Sequence, residues 1–89
     1  MALELTAEGT RPPMDAALLK RLASRLYGER RWQAALAREL QVNDRTVRRW
    51  ASGASPVPES VALALKLMVF LDELKWLGEW RKMLDEELL

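Results

Sequence analysis

QAALARELQVNDRTVRRWAS, residues 33–52, is the stretch that decides the fold of this chain. It predicts two short helices joined by a tight turn. At about 100° per residue, one stripe of the second helix carries three arginines and a serine: Arg45, Arg48, Arg49 and Ser52. Val47 and Trp50 point to the opposite side. A helix with an apolar back and a cationic front suits insertion into the groove of a polyanion.

The length and charge of the chain limit what kind of protein can contain this stretch. Eighty-nine residues make one domain at most, with a modest core. The net charge of +1 conceals an asymmetry, since residues 11–50 carry a net charge of +6 and residues 51–89 one of −3. A basic half and an acidic half indicate a nucleic-acid face at one end and another role at the other.

The composition argues against several classes of protein. The chain has no cysteine and no histidine, which removes disulfides, thiolate chemistry, the commonest general base and the commonest zinc ligand. A glycine-rich phosphate loop is also missing, so we predict no enzyme, no cofactor and no metal. The start, MALELTAEGT, has acids where a signal peptide has bases. The apolar run 61–71 contains Lys66 and is too short to span a bilayer, so we expect a cytoplasmic protein without a membrane partner.

The helical pattern divides the chain into three parts. Residues 1–13 have little periodicity and are interpreted as an N-terminal extension for which disorder is expected. Residues 14–57 form the helix-turn-helix core. We predict three helices in this core: one from Met14 or Asp15 to Tyr27, one from about Arg30 to Leu40, and one beginning after Asn43 and running to about Ser52.

The third part, residues 58–89, is a C-terminal helical segment that completes the core. Its large apolar residues follow alternating steps of four and three, interrupted only at Arg81: Leu63, Leu67, Phe70, Leu74, Leu77, Leu84 and Leu88. Gly78 could bend or break the segment, so one long helix and two shorter ones both fit. The prediction is an all-α protein, a small helical bundle with a long or broken C-terminal helix.

The C-terminal stripe has two interpretations. It packs on the first three helices, or it forms a seam between two copies of the chain. For the second case the predicted dimer interface is Phe70, Leu74, Leu77, Trp80, Leu84 and Leu88.

A helix-turn-helix needs a small residue where its helices cross, an apolar set facing the core, and a turn. Ala37 is the small residue, and the turn is residues 41–43. The apolar set is Leu36, Leu40, Val42, Val47 and Trp50. Gln41 stands where such motifs often place glycine, because a positive φ is cheap only for glycine; the departure costs up to about 1 kcal/mol.

Residues 26–58, LYGERRWQAALARELQVNDRTVRRWASGASPVP, resemble the helix-turn-helix of Cro/cI-like (XRE-type) regulators of bacteria and phages. The resemblance covers about a third of the chain and rests on the Ala37 crossing, the DRTVRRW helix and Gly53. It implies a compact fold of four or five helices, sequence-specific binding to duplex DNA, and a homodimer on a palindromic site.

The residues themselves indicate roles at a DNA surface. Asn43, Asp44 and Arg45 lie at the helix end that enters the major groove in this motif. Arg45 and Arg49 suit bidentate contacts with guanine edges, and Arg48 is either a base reader or a phosphate clamp. Asp44 could accept from a cytosine amino group or could orient Arg48.

The remaining candidates are expected at the phosphate backbone. They are Thr46 and Ser52 of the third helix, Gln33 at the start of the second helix, and Arg30 and Arg31 beside it.

Two functions follow as expectations. The first is a transcriptional repressor or autoregulator that binds double-stranded DNA as a homodimer. The alternative is a protein-interaction module, antitoxin-like or a phage or host adaptor, in which the C-terminal helix binds a protein partner and the helix-turn-helix is a scaffold.

Overall fold

A computed structural model describes residues 12–86, and this part of the chain contains five α-helices. They are α1 (Ala16–Tyr27), α2 (Trp32–Leu40), α3 (Asp44–Ser52), α4 (Glu59–Glu73) and α5 (Leu77–Glu86). The predicted all-α helical bundle is confirmed. Residues 1–11, most of the predicted extension, and residues 87–89, with Leu88 of the predicted interface, lie outside the described residues.

The helix starts of α1 and α3 follow from capping side chains. The Asp15 carboxylate accepts a 2.8 Å hydrogen bond from the Leu18 N–H, and the Asn43 side chain accepts one of 2.8 Å from the Arg45 N–H. Each bond satisfies an amide that the helix itself leaves unpaired. Helix α2 begins at Trp32, two residues later than predicted, because residues 29–31 form a turn.

The core lies between α1, α2 and α3, and α4 closes it. Helix α3 packs against α2 and α1, α4 packs against α1, and α5 packs against α4. Leu36, Ala37, Val47 and Trp50 are all buried in this core, as the motif requires. Val42 was expected among them but is 37% exposed, because the chain leaves α2 through a left-handed residue just before it.

The end of α2 shows how that turn is built. Gln41 adopts the left-handed conformation at φ 59° and ψ 45°. Its N–H donates to the Arg38 carbonyl at 3.2 Å, and the Val42 N–H donates to the Ala37 carbonyl at 2.9 Å. These two bonds are a Schellman motif, which usually has glycine at the left-handed position. The predicted need for a positive φ at Gln41 is therefore met by a residue with a Cβ.

The C-terminal segment forms two helices, and Gly78 does not separate them. Gly78 lies inside α5, whereas the break falls at Lys75, with φ 63°. The Lys75 N–H donates to the Asp72 carbonyl at 3.0 Å and the Trp76 N–H donates to the Leu71 carbonyl at 2.8 Å. The same Schellman hydrogen bonds thus end α2 and α4, each around a left-handed residue that is not glycine.

The break divides the predicted dimer seam. Phe70 and Leu74 remain on the exposed side of α4, but Leu77 is 6% exposed and belongs to the core of its own chain. Trp80 is half-buried against that core. Leu84 is exposed beside the end of α2. These residues therefore do not form one continuous seam. The left-handed turn at Lys75 changes the direction of the helix and rotates the faces of α5 relative to those of α4.

A polar cluster fastens α5 to the first two helices. The Tyr27 hydroxyl donates to Glu39 Oε1 at 2.7 Å, while Arg81 donates from Nη2 to Oε1 at 2.6 Å and from Nε to Oε2 at 3.1 Å. Burial and the Glu39 carboxylate raise the pKa of Tyr27. Burial also opposes the charge on Glu39, yet the hydrogen bonds from Arg81 and Tyr27 outweigh it and lower the pKa of Glu39.

The cluster predicts a specific loss of stability in acid. Because the pKa of folded Glu39 is lowered, its contribution is present above the unfolded value of about 4.3 and is lost as the pH falls through the folded pKa. Glu39→Gln should reduce the free energy of unfolding by about 1 kcal/mol at pH 7, since the pair is partly exposed. Urea unfolding at pH 7 and pH 3 should show that the free energy of unfolding falls less on acidification in this variant than in the wild type. Glu79→Gln on α5 is the control, and an unchanged acid loss in Glu39→Gln would contradict the assignment.

The left-handed turn predicts that glycine at position 41 stabilises the protein. Gln41→Gly removes the Cβ penalty and should raise the free energy of unfolding by up to about 1 kcal/mol, or the melting temperature by roughly 4–8 °C. Gln33→Gly is the matched control, because Gln33 lies within α2 and glycine there should lower stability. Thermal unfolding followed by circular dichroism checks both, and the same sign for the two variants would refute the explanation.

Candidate nucleic-acid interface

The outer face of α3 presents the predicted cationic stripe to solvent. Arg45, Arg48 and Arg49 are exposed, whereas Val47 and Trp50 on the opposite side are 0% and 5% exposed. The packing of α3 on α2 holds this division in place, since the apolar back cannot turn outward without opening the core. The helix therefore displays three guanidinium groups on one solvent-facing side.

A shallow, open depression joins α3 to the start of α2. It is lined by Gln33, Arg45, Arg48, Arg49, Ala51, Ser52 and Ala54. The lining carries three positive side chains and no carboxylate, so its field attracts anions. Of the candidates from the sequence, Gln33 and Ser52 share this surface with the arginines. Ala51 and Ala54, which the sequence did not single out, keep the depression open because their side chains are small.

The other predicted residues lie around this depression without lining it. Arg30 and Arg31 are exposed in the turn before α2, at the same end of that helix as Gln33. Thr46 is half-buried. Asn43 and Asp44 are exposed at the start of α3, and the Asn43 oxygen accepts the capping bond from Arg45. The Asp44 carboxylate makes no ion pair with Arg48 within the described residues, so the structure does not show Asp44 orienting Arg48.

Ser55 holds Arg49 in a defined orientation. The Arg49 Nε donates to Ser55 Oγ at 3.0 Å, and the Ser55 N–H donates to the Arg49 carbonyl at 3.2 Å. The backbone bond fixes the hydroxyl relative to α3, and the hydroxyl then fixes the guanidinium. The Nε hydrogen is used in this contact, so the two terminal amino groups are the part of Arg49 that can meet a ligand.

Ser52 also serves the end of α3. Its hydroxyl donates to the Arg49 carbonyl at 3.2 Å and accepts from the Ala54 N–H at 3.3 Å. The phosphate contact predicted for Ser52 would therefore use a hydroxyl that already bonds to the end of α3. The sequence did not mark Ser55 for this site; the only signal was its place in the serine- and glycine-rich stretch after α3.

The described residues hold no group of three or more His, Cys, Asp and Glu side chains that could bind a metal ion. Within residues 12–86, none of the helices combines the length and the apolar character needed to cross a bilayer. Comparisons of the chain with known protein families, with curated proteins and with solved structures found no match. The interpretation of this surface therefore depends on its own residues.

The Ser55 contact predicts a change in the motion of one side chain. Ser55→Ala should free the Arg49 guanidinium, because the hydroxyl that accepts from its Nε is removed. In ¹⁵N NMR the Arg49 Nε–Hε signal should then show faster solvent exchange and a lower heteronuclear NOE. Ser60→Ala in α4 is the control. Equal mobility of Arg49 in the wild type and in Ser55→Ala would show that the hydroxyl does not position it.

Proposed function

We propose that this chain binds double-stranded DNA through α3 and acts as a homodimeric transcriptional repressor or autoregulator. The observation that carries the proposal is the exposed stripe of Arg45, Arg48 and Arg49 on a helix whose opposite side is buried. A solvated surface helix can carry arginines, but this one is also the second helix of a tightly packed helix–turn–helix pair. That combination fits the width of the major groove.

The geometry supports different roles for the three arginines. Arg45 lies in the first turn of α3, the part of a recognition helix that reaches the base edges. Arg49 lies one turn further along, and its Ser55 contact leaves two parallel amino groups, which match O6 and N7 of guanine or a phosphate. Arg48 points about 100° away from Arg49 around the helix, at the other edge of the stripe, and is assigned to a phosphate on one wall of the groove.

The charge of the surface supports binding to a phosphate backbone. Arg30 and Arg31 extend the positive area at the start of α2, where Gln33 can also donate to phosphate oxygens. Each neutralised phosphate releases counterions and contributes about −0.9 to the slope of log affinity against log salt. The proposed function therefore includes a steep dependence of binding on salt.

A homodimer would place two copies of α3 about 34 Å apart, one turn of duplex, on a palindromic site. The exposed apolar residues of α4 support self-association, because contiguous apolar surface of this kind usually has a partner. The same observation favours the second candidate function, a protein-interaction module of the antitoxin-like or adaptor kind. Duplex binding separates the two, since the module needs none.

Selection from a random duplex pool, followed by affinity measurements, tests the proposal. The enriched sequence should bind much more tightly than random duplex, and the affinity should fall steeply with added salt. Arg45→Ala and Arg49→Ala should each cost roughly 1–3 kcal/mol of binding free energy if the side chain reads a base. Arg48→Ala should reduce the salt slope by about 1 with little effect on sequence preference.

Arg38→Ala is the matched control for these variants. Arg38 is exposed on α2 but lies beside Glu39, Arg81 and Leu84, away from the depression that Gln33 shares with α3. Its loss should leave affinity within about twofold. Binding no tighter than micromolar to every duplex at low salt, or full affinity in the Arg45→Ala/Arg49→Ala double variant, would refute the proposed function.

A further inference from the structure

Helix α4 has two apolar faces, and only one of them is used by the core. Ala62, Leu65 and Met68 are at most 2% exposed and face α1. On the opposite side lie four residues that are 42–59% exposed: Leu63, Leu67, Phe70 and Leu74. We call these four residues the outer α4 face. At about 100° per residue they form one stripe, centred nearly opposite the buried residues.

The outer α4 face is contiguous and well defined. Single exposed leucines are ordinary on protein surfaces, but here four large apolar side chains repeat at steps of four, three and four. The stripe is about 16 Å long. A shallow apolar groove lined by Leu71, Trp76, Trp80 and Met83, with Glu79 at its rim, adjoins its C-terminal end. Patches of this extent on small proteins usually mark an interaction site.

The position of this face leaves the DNA surface accessible. Helix α4 packs against α1 and α5 and makes no comparable packing with α3. A partner on the outer α4 face therefore need not cover the arginine stripe of α3.

We propose that a second copy of this chain covers the outer α4 face, with the two α4 helices packed antiparallel. The inference specifies the homodimer of the proposed function. Steps of four and three are the a and d spacing of a two-helix seam. With the two-fold axis between positions 67 and 70, Leu67 packs against Phe70 of the partner subunit, and Leu63 packs against Leu74 of the partner subunit.

Charge favours the antiparallel arrangement over the parallel one. Lys66 and Glu73 lie on the same edge of the stripe, about 100° and 120° from Leu67. An antiparallel pair brings Lys66 to within about 3 Å, along the helix axis, of Glu73 of the partner subunit. The Glu73 carboxylate already pairs with Arg25 of α1, so Lys66 of the partner subunit would join that pair instead of meeting a free carboxylate. A parallel pair instead sets this edge against the uncharged edge formed by Ser60, Ala64 and Leu71, and aligns the helix dipoles unfavourably.

The area available predicts a dimer of modest affinity. Phe70 of the outer α4 face and Trp76 of the adjoining groove are 59% and 60% exposed, so each offers roughly 100–150 Å². The three leucines of the face, Leu63, Leu67 and Leu74, add a comparable amount. Several hundred Å² per copy approaches but does not exceed the roughly 800 Å² that a standard interface buries on each side. We therefore expect dissociation of the dimer in the micromolar range, visible as a concentration-dependent mass in sedimentation.

Cysteine pairing tests both the surface and the direction, because the chain has no cysteine of its own. Leu63→Cys and ¹⁵N-labelled Leu74→Cys are oxidised separately and as a mixture, and disulfide-linked dimers are identified by mass. The antiparallel dimer predicts a linked product of intermediate mass in the mixture. It predicts little product from either variant alone, since identical positions lie about 16 Å apart along the axis, beyond the 7 Å limit for a disulfide.

Efficient linking of each variant with itself would overturn the antiparallel arrangement. Absence of linking in the mixture, with a monomeric wild type at all concentrations in sedimentation, would overturn the dimer itself.

A charged substitution on the outer α4 face tests the dimer independently of disulfide linking. Phe70→Glu should be monomeric at concentrations where the wild type is dimeric, and should keep its helical content because Phe70 is outside the core. Leu84→Glu is the matched control: Leu84 is 50% exposed but lies beside α2, so this variant should remain dimeric. Dimerisation of Phe70→Glu, or its loss in Leu84→Glu, would place the interface elsewhere.

The outcome does not depend on DNA. A wild type that dimerises as described but binds no duplex would disprove the proposed function and leave this inference standing. Specific duplex binding by a protein with no antiparallel α4 contact would support the proposed function and disprove this inference.

Discussion

The packing of α3 on α2 is the constraint on which the rest of the structure depends. Val47 and Trp50 are buried in the same core as Leu36 and Ala37, and this burial fixes the rotation of α3 about its own axis. Because the arginines lie on the opposite side of α3, the same contact that stabilises the fold also decides where the positive charge is displayed. The buried side of α3 belongs to the core, and its exposed side is the candidate DNA surface.

Two left-handed residues other than glycine set the directions of the helices that follow them. Gln41 turns the chain from α2 into α3, and Lys75 turns it from α4 into α5. In each case two backbone hydrogen bonds satisfy carbonyls that the helix end would leave unpaired, which offsets the cost of the Cβ. After the second turn, α5 returns to the bundle, where Leu77 enters the core and Arg81 binds the Glu39 carboxylate.

Much of the fold and the candidate site could be predicted from local pattern. Asp15 and Asn43 cap the helices that they precede, and the arginine stripe is exposed as its spacing indicates. The C-terminal segment was harder, because α4 has two apolar faces: the core takes Leu65 and Met68, while Leu67 and Phe70 remain outside. Periodicity alone cannot say which of two apolar faces the core will use. The Ser55 contact with Arg49 was missed because it depends on how the chain turns after Gly53.

The sequence by itself determined the helical class, the helix-turn-helix and the residues that carry its charge, since these follow from composition, caps and the 3.6-residue period. Only the tertiary structure decided which apolar stripe of α4 is left outside, where the C-terminal helix breaks, and which residues hold Arg49 and Glu39 in place. Those features depend on contacts between residues distant in the chain, such as Glu39 with Arg81, and no local pattern encodes the distance between such groups.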